Sequence, residues 1–472
     1  MVYKRVSFLV ISVFLLKFIL ISLYDFAMPS EARYAAISMR MLLNNNYLMP
    51  YFSPDIPFFG KPPLAFWASA ISMKVFGMHY FAARLPHLLA LLATCMALYV
   101  TVKRSYDYRT GIAAVVILLS CAISYALSSV MTEAFLLLGM TMTLLSFWAQ
   151  IQSDKQNIHG YLFFLGCVIS VLTKGPVGIC FPGLSIFVYL IISGRWKEFF
   201  TKFPLIKGGL LFFVLALPWF FLAERKYPGF LDYFILGENW HRFATPGWRG
   251  DRYGHAHLAY FGQIWVFFVV LILPVGLIFL VKSKQIFLSF LQLLARDKSF
   301  VFFALSFLVS MGVLTFMRNM IGTYVIYSII PFTILLSRII LVKKWDNIIL
   351  YLAYLTLIAH LFLIAAFAVN PALFTKHSEY DVKLLKQIPN YPNLDGSEVY
   401  YVGNEKNTFL LAWYTKDKIR AIDSGQINNI VTNSNSSNYF IGDKSLQDHY
   451  KILKPIACVE AESNSNCLYY DK

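Results

Sequence analysis

The chain has 472 residues, 58% hydrophobic and 17% aromatic, with 14% charged and a formal net charge of +16. A soluble globular domain carries roughly 25% charge, so that class is excluded, and continuous rather than alternating apolar runs exclude a β-barrel. The positive charge fits the Lys/Arg excess of cytoplasmic loops in membrane proteins better than a nucleic-acid footprint, and no nucleic-acid partner is expected.

The first apolar run, about Val6 to Tyr24, follows Lys4 and Arg5. It has no small-residue cleavage site, which predicts a retained helix rather than a signal peptide. Further apolar runs reach the roughly 20 residues a bilayer core demands. They predict about eleven spans, at 6–24, 83–101, 110–127, 131–150, 160–174, 176–194, 205–223, 257–281, 299–317, 322–341 and 347–369. The expected class is an all-α polytopic membrane protein. The fifth span ends at Lys174-Gly175-Pro176, where a hairpin and a re-entrant pair are both open. The basic loops holding Lys103 and Arg104, Arg195 to Lys207, Lys282 to Lys298, and Lys343 and Lys344 all fall on one side, which the positive-inside rule makes cytoplasmic.

Two outer loops are then long, 25–82 and 224–256. In the first, Ser30 to Asn44 reads as an interfacial helix with Ser30 as its N-cap. In the second, Tyr227 to Phe243 reads likewise, with Trp240, Trp248 and Tyr253 as interfacial aromatics. An odd span count exports residues 370–472. That tail is more polar, with strand-like runs at 398–402, 409–414 and 438–441, and is long enough for a small α/β domain beside the membrane domain 1–369. Cys458 and Cys467 can form a local disulfide if it is exported.

The polar residues of the outer loops carry the chemistry. Glu31 can act as a base or orient an acceptor; it also suits the first turn of a helix through the dipole. Arg33 and Arg40 are seven apart and share a helix face, which suits phosphate or lipid headgroups. Tyr34 reads as an interfacial tyrosine. Pro62 and Pro63 fix Lys61 at the mouth of an apolar helix, where an isoprenoid phosphate is the natural ligand. Glu133, at the outer start of the fourth span, can pair with Lys61, Arg33 or a metal, or form a structural ion pair, and Lys174 invites the same two readings. Glu238, Asn239 and Arg242 lie in the second loop, and Arg318, Asn319 and Tyr324 precede a late span. The loop histidines have no metal spacing. No cofactor is called for, and a divalent metal stays open.

These motifs resemble those of the ArnT-like GT-C membrane glycosyltransferases, relatives of the protein O-mannosyltransferases. The matching elements are Glu31-Ala32-Arg33-Tyr34, Lys61-Pro62-Pro63-Leu64 with Trp67, Leu172 to Pro176, Leu217-Pro218-Trp219, Glu238-Asn239 with Arg242 and Phe243, and Arg318-Asn319 with Tyr324. The chain departs from the family pattern at Ser30 and Gly60, where relatives carry acids, and at Glu133, where Asp is common. The resemblance implies a GT-C fold with a small C-terminal α/β periplasmic domain. It implies an inverting transferase of the bacterial inner membrane, moving a sugar from undecaprenyl phosphate to lipid A or another envelope acceptor. Glu31, Glu133 and Arg33 would be catalytic. Lys61, Arg242, Tyr324, Arg318 and Lys174 would bind the donor phosphate, with Tyr34, Glu238 and Asn239 beside them. The alternatives are a protein O-mannosyltransferase-like enzyme and a lipid-linked sugar transporter or flippase.

Overall fold

The computed structural model describes residues 2–26, 28–245, 263–273, 275–317, 321–370, 382–388, 398–403, 408–433, 438–450, 452–460 and 465–471. Arg249, Arg252, His255, His257, Trp248, Tyr253, Arg318 and Asn319 lie outside them. Contacts divide the chain into two compact units made of interleaved segments. One comprises Met1–Ile21, Phe58–Ala68 and Arg84–Leu363; the other Ser22–Pro57, Ser69–Ala83 and Ile364–Lys472.

The first unit is helical. Among the described residues seven helices are long and apolar enough to cross a membrane: Val2–Leu23, Tyr80–Ser105, Glu133–Ile151, Leu205–Lys226, Lys298–Phe316, Gly322–Val342 and Asp346–Val369. Shorter apolar helices run over Leu64–Phe76, Tyr108–Ser120, Ile158–Lys174 and Val177–Ser193. The protein is a multi-pass membrane protein. Its core is a continuous cluster including Ile117, Phe147, Trp148, Phe302, Ile334 and Ile340. The helices Glu133–Ile151 and Ile158–Lys174 approach through small residues: a Cβ on Gly166 would stand 2.6 Å from the Thr143 backbone nitrogen. That closeness gains dispersion contacts, the main force between helices where water is absent.

The eighth span departs from expectation. Its described part is a short helix, Gln263–Leu271, followed by a second helix, Gly276–Arg296, with a non-helical residue at Lys282. Lys284 therefore lies on a helix rather than in a loop, and Lys282 marks a kink between two helical segments. Charge marks the solvated stripe of an amphipathic helix as readily as it marks a turn.

The second unit carries a five-stranded sheet in the order β2-β1-β3-β5-β4. Its strands are β1 (Glu398–Val402), β2 (Ile419–Ile422), β3 (Asn438–Asp443), β4 (Lys454–Glu460) and β5 (Ser465–Tyr470). Strand β1 pairs parallel with β2 and β3, whereas β5 runs antiparallel to β3 and β4. Cys458 and Cys467 face each other in the β4–β5 register and are bonded. Phe409–Tyr414, read from sequence as strand-like, is a helix with five consecutive buried residues. A short continuous apolar run has no period to separate the two states, and burial all round resolved it as helix.

Candidate functional site

Lys61 sits where the sequence places it. The Leu64–Phe76 helix starts directly after Pro63, whose carbonyl accepts the Trp67 N–H at 2.8 Å. The proline pair leaves Lys61 ahead of the first turn. Its ammonium donates to the Gly60 carbonyl at 2.6 Å and lies 3.7 Å from Glu238 Oε2. Burial pushes its pKa down to about 8; Glu238 opposes the shift, and Arg242 and Lys174 add to it.

Lys174 ends the helix Ile158–Lys174. Gly175 follows at φ +79°, a left-handed conformation open to glycine, and a Cβ there would come 2.5 Å from the Phe234 ring. Pro176 then leads into Val177–Ser193. The break is thus a two-residue turn that presents Lys174 at a helix C-terminus, where a cation is favoured. Glu133 opens its own helix, where an anion is favoured. The two meet, Nζ to Oε1, at 3.4 Å with 7% and 5% of their side chains exposed. Thr132 Oγ1 donates to Glu133 Oε2 at 3.3 Å. The Lys174 ammonium also stands 4.8 Å from the Tyr324 ring centroid and 5.6 Å from that of Tyr327.

Glu238 and Arg242 come from the segment that follows the Leu205–Lys226 helix. Residues Asp232–His241 form a π-helical stretch that runs into Arg242–Ala244. Arg242 Nη1 donates to Glu238 Oε2 at 2.9 Å, and the Tyr233 hydroxyl donates to Oε1 at 3.1 Å. Glu238 is therefore shared by two cations. Asn239 turns inward and donates to the Phe234 carbonyl at 2.7 Å. Trp240 is exposed.

These groups surround one open pocket of about 380 Å³, lined by Lys61, Lys174, Arg242, Glu238, Asn239 and Tyr324 with Gly60, Val177, Phe234, Met317 and Tyr327. Three of the lining side chains are cationic and one is acidic, so the pocket suits an anion. A second pocket of about 310 Å³, lined mainly by apolar residues including Leu137, Met140, Leu144 and Ile330, shares Tyr327 with it. Such an arrangement can hold a phosphate oxygen against fixed cations and stabilise charge that develops on it.

Glu31, Arg33 and Tyr34 belong to the other unit. Their helix is Pro29–Leu43, with Met28 as the flanking residue and Pro29 in its first turn, so Ser30 is not the N-cap. Proline suits that first position because its φ is already helical. Ser30 Oγ instead accepts from Arg33 Nη2 at 3.4 Å. Glu31 is fully buried, and the Arg33 guanidinium lies 5.2 Å from the Tyr34 ring centroid. Arg33 Nε is buried with no hydrogen-bond partner among the described residues. Arg40, offered above for phosphate or headgroups, is instead taken up by Asp417 at 2.7 Å and is 3% exposed.

Arg318 lies outside the described residues. Tyr233, Phe234 and Tyr327 line or brace the site without having been singled out. Tyr327 stands three residues after Tyr324, the spacing that places both on one helical face, and this was the available signal. Among the described residues no three His, Cys, Asp or Glu gather as they would around a metal ion.

An apolar helical bundle with cations converging from helix ends on an anion pocket, together with a small mixed sheet, defines a multi-pass helical membrane protein built to hold an anion. A family model described as dolichyl-phosphate-mannose-protein mannosyltransferase matches residues 60–221. The undecaprenyl phosphate-alpha-4-amino-4-deoxy-L-arabinose arabinosyl transferase of Erwinia tasmaniensis is 31% identical over 223 residues, 46% of this chain and 39% of that protein. Its counterpart from Pseudomonas savastanoi pv. phaseolicola is 25% identical over 335 residues, 70% of this chain and 60% of that protein. In each case the match spans less than two thirds of the relative's length. The crystal structure of ArnT from Cupriavidus metallidurans bound to undecaprenyl phosphate is 15% identical with a TM-score of 0.80, covering 99% of this chain and 98% of that one, and shares the fold.

Proposed function

We propose that the protein is an inverting glycosyltransferase of the bacterial inner membrane. It moves a sugar from undecaprenyl phosphate, or a similar polyprenyl phosphate, to lipid A or another envelope acceptor on the periplasmic face. The domain 370–472 is then exported with the outer loops. The observation that carries this reading is the pocket in which Lys61, Arg242 and Lys174 converge beside Tyr324. The names of the relatives from Erwinia and Pseudomonas support the donor class.

In the proposed reaction an acceptor oxygen attacks the anomeric carbon as the bond from that carbon to the donor phosphate oxygen breaks. The bonding pair leaves with the polyprenyl phosphate, whose charge rises. Lys61 and Arg242 stabilise that charge, with Tyr324 beside the phosphate. The Glu133–Lys174 pair fixes one wall. Glu31 and Arg33, with Tyr34, orient the acceptor. A phosphate acceptor is already ionised and needs no strong base; a hydroxyl acceptor gives its proton to a carboxylate, Glu31 or Glu133.

Mass spectrometry of lipid A from cells with and without the protein tests this. The expected result is one sugar increment lost on deletion, its mass naming the donor sugar. Unchanged lipid A, core and envelope glycans would overturn the reading. A second reading, transfer to protein Ser or Thr, is favoured by the mannosyltransferase family match, and it predicts the missing sugar on envelope proteins instead.

A further inference from the structure

We propose that residues 409–417 of the tail position the helix Pro29–Leu43, and with it Glu31 and Arg33, through the buried Arg40–Asp417 pair and a Tyr80–Tyr414–Asp25 hydrogen-bond chain. The inference rests on the glycosyl-transfer reading above, and all the groups lie in one compact unit. Asp417 and Tyr414 are positioning residues, not catalytic ones.

Arg40 places Nη2 2.7 Å and Nε 2.8 Å from Asp417 Oδ1, and its Nη1 donates to the Phe52 carbonyl. Arg40 is 3% and Asp417 12% exposed, so the pair is shielded from the screening that weakens surface ion pairs. The backbone bends to make it. Lys416 and Asp417 both adopt positive φ, +51° and +67°, directly after the Phe409–Tyr414 helix. Two successive non-glycine residues in that region are held by their surroundings rather than by preference.

A second tether lies beside the first. Tyr80 donates to the Tyr414 hydroxyl at 2.6 Å, and Tyr414 donates to Asp25 Oδ2 at 2.8 Å. Aromatic rings close the gaps. Phe26 meets Tyr80 and Trp413 edge-on at 4.9 Å each, and Phe52 meets Phe409 at 4.9 Å. The tail thus grips the segment 22–57 at both ends of the helix that carries Glu31. Arg40 is nine residues beyond Glu31, about 14 Å along a rigid helix, so a change at Asp417 rotates or shifts both site residues together.

The test uses the full-length protein. Transfer is read as the sugar increment on the acceptor in cells, and donor-site integrity as the Kd for undecaprenyl phosphate in detergent. Asp417→Asn is expected to lower transfer at least tenfold, and Tyr414→Phe several-fold, with Kd within twofold of the wild type. The exchanged pair Arg40→Asp with Asp417→Arg restores part of the loss. Wild-type transfer in both single variants overturns the proposal, as does loss of undecaprenyl phosphate binding in parallel with transfer. If Asp417→Asn does not fold, Tyr414→Phe decides alone. A wild type that transfers no sugar sinks the transferase reading instead. The tether is then judged by limited proteolysis: new cleavage within 25–57 in Asp417→Asn supports it, and an unchanged pattern refutes it.

Discussion

Lys61 offers a titration that separates a phosphate-binding lysine from a structural one. Burial holds its pKa near 8, whereas an ordinary lysine titrates near 10.4. An arriving phosphate supplies the missing counter-charge and draws the bound-state pKa back toward the ordinary value. Between about pH 8 and pH 10 the free site must then take up a proton in order to bind. Affinity should fall close to tenfold per pH unit, about 1.4 kcal/mol each, and about 3 kcal/mol over the whole shift. The phosphate contributes nothing to this slope, because a monoester is fully ionised above about pH 7. The assay is a series of undecaprenyl phosphate Kd values from about pH 7 to pH 9.5, for the wild type and Lys61→Arg. Arginine keeps its charge throughout, so the variant should bind with a flat profile. Stability of the empty protein carries the matching sign. The unfolded chain holds more protons than the folded one between about pH 8 and 10.4, so stability should rise with pH in that window. A flat wild-type profile, or the same slope in Lys61→Arg, would refute the reasoning.

Other outcomes follow from the same geometry. Lys61→Ala should abolish transfer, measured by lipid A mass spectrometry, while size-exclusion chromatography shows a folded protein; full activity would remove Lys61 from the donor site. Lys174→Met leaves Glu133 buried without its cation and should destabilise by about 3–5 kcal/mol, read from denaturant or thermal unfolding. Adding Glu133→Leu should recover most of that stability without recovering transfer, and recovery of both would make the pair purely structural. Gly175→Ala must adopt φ +79° against the Phe234 ring. It should cost about 1–3 kcal/mol and weaken undecaprenyl phosphate binding, and an unchanged melting point would show that the turn relaxes.

The sequence exposed what local chemistry determines. Apolar run length marked most of the helices, because a bilayer core imposes one length on every crossing segment. Pro62 and Pro63 fixed the setting of Lys61, and the Lys174-Gly175-Pro176 break marked its turn. What stayed hidden depends on partners far along the chain. Nothing near Arg40 announces Asp417, 377 residues away, so an arginine on an amphipathic face read equally well as a headgroup ligand. Glu133 had several eligible cations, and only packing of the helices ending at Lys174 and starting at Glu133 chose among them. The Gly276–Arg296 helix was obscured by its own lysines. Of the tail strands left unmarked, β2 has four residues, and β4 and β5 are too mixed in polarity for alternation to stand out.

The tether between Arg40 and Asp417 also has a consequence for biogenesis. The helix that bears Glu31 leaves the ribosome hundreds of residues before the segment that braces it. At roughly 5–20 residues per second, a span of 377 residues corresponds to a delay of about 20 to 75 s. Throughout that interval the nascent chain holds a charged, half-apolar helix without its counter-ion. A chain arrested before residue 409 would carry the described residues that line the anion pocket and still lack Tyr414 and Asp417, the braces proposed for the helix of Glu31 and Arg33.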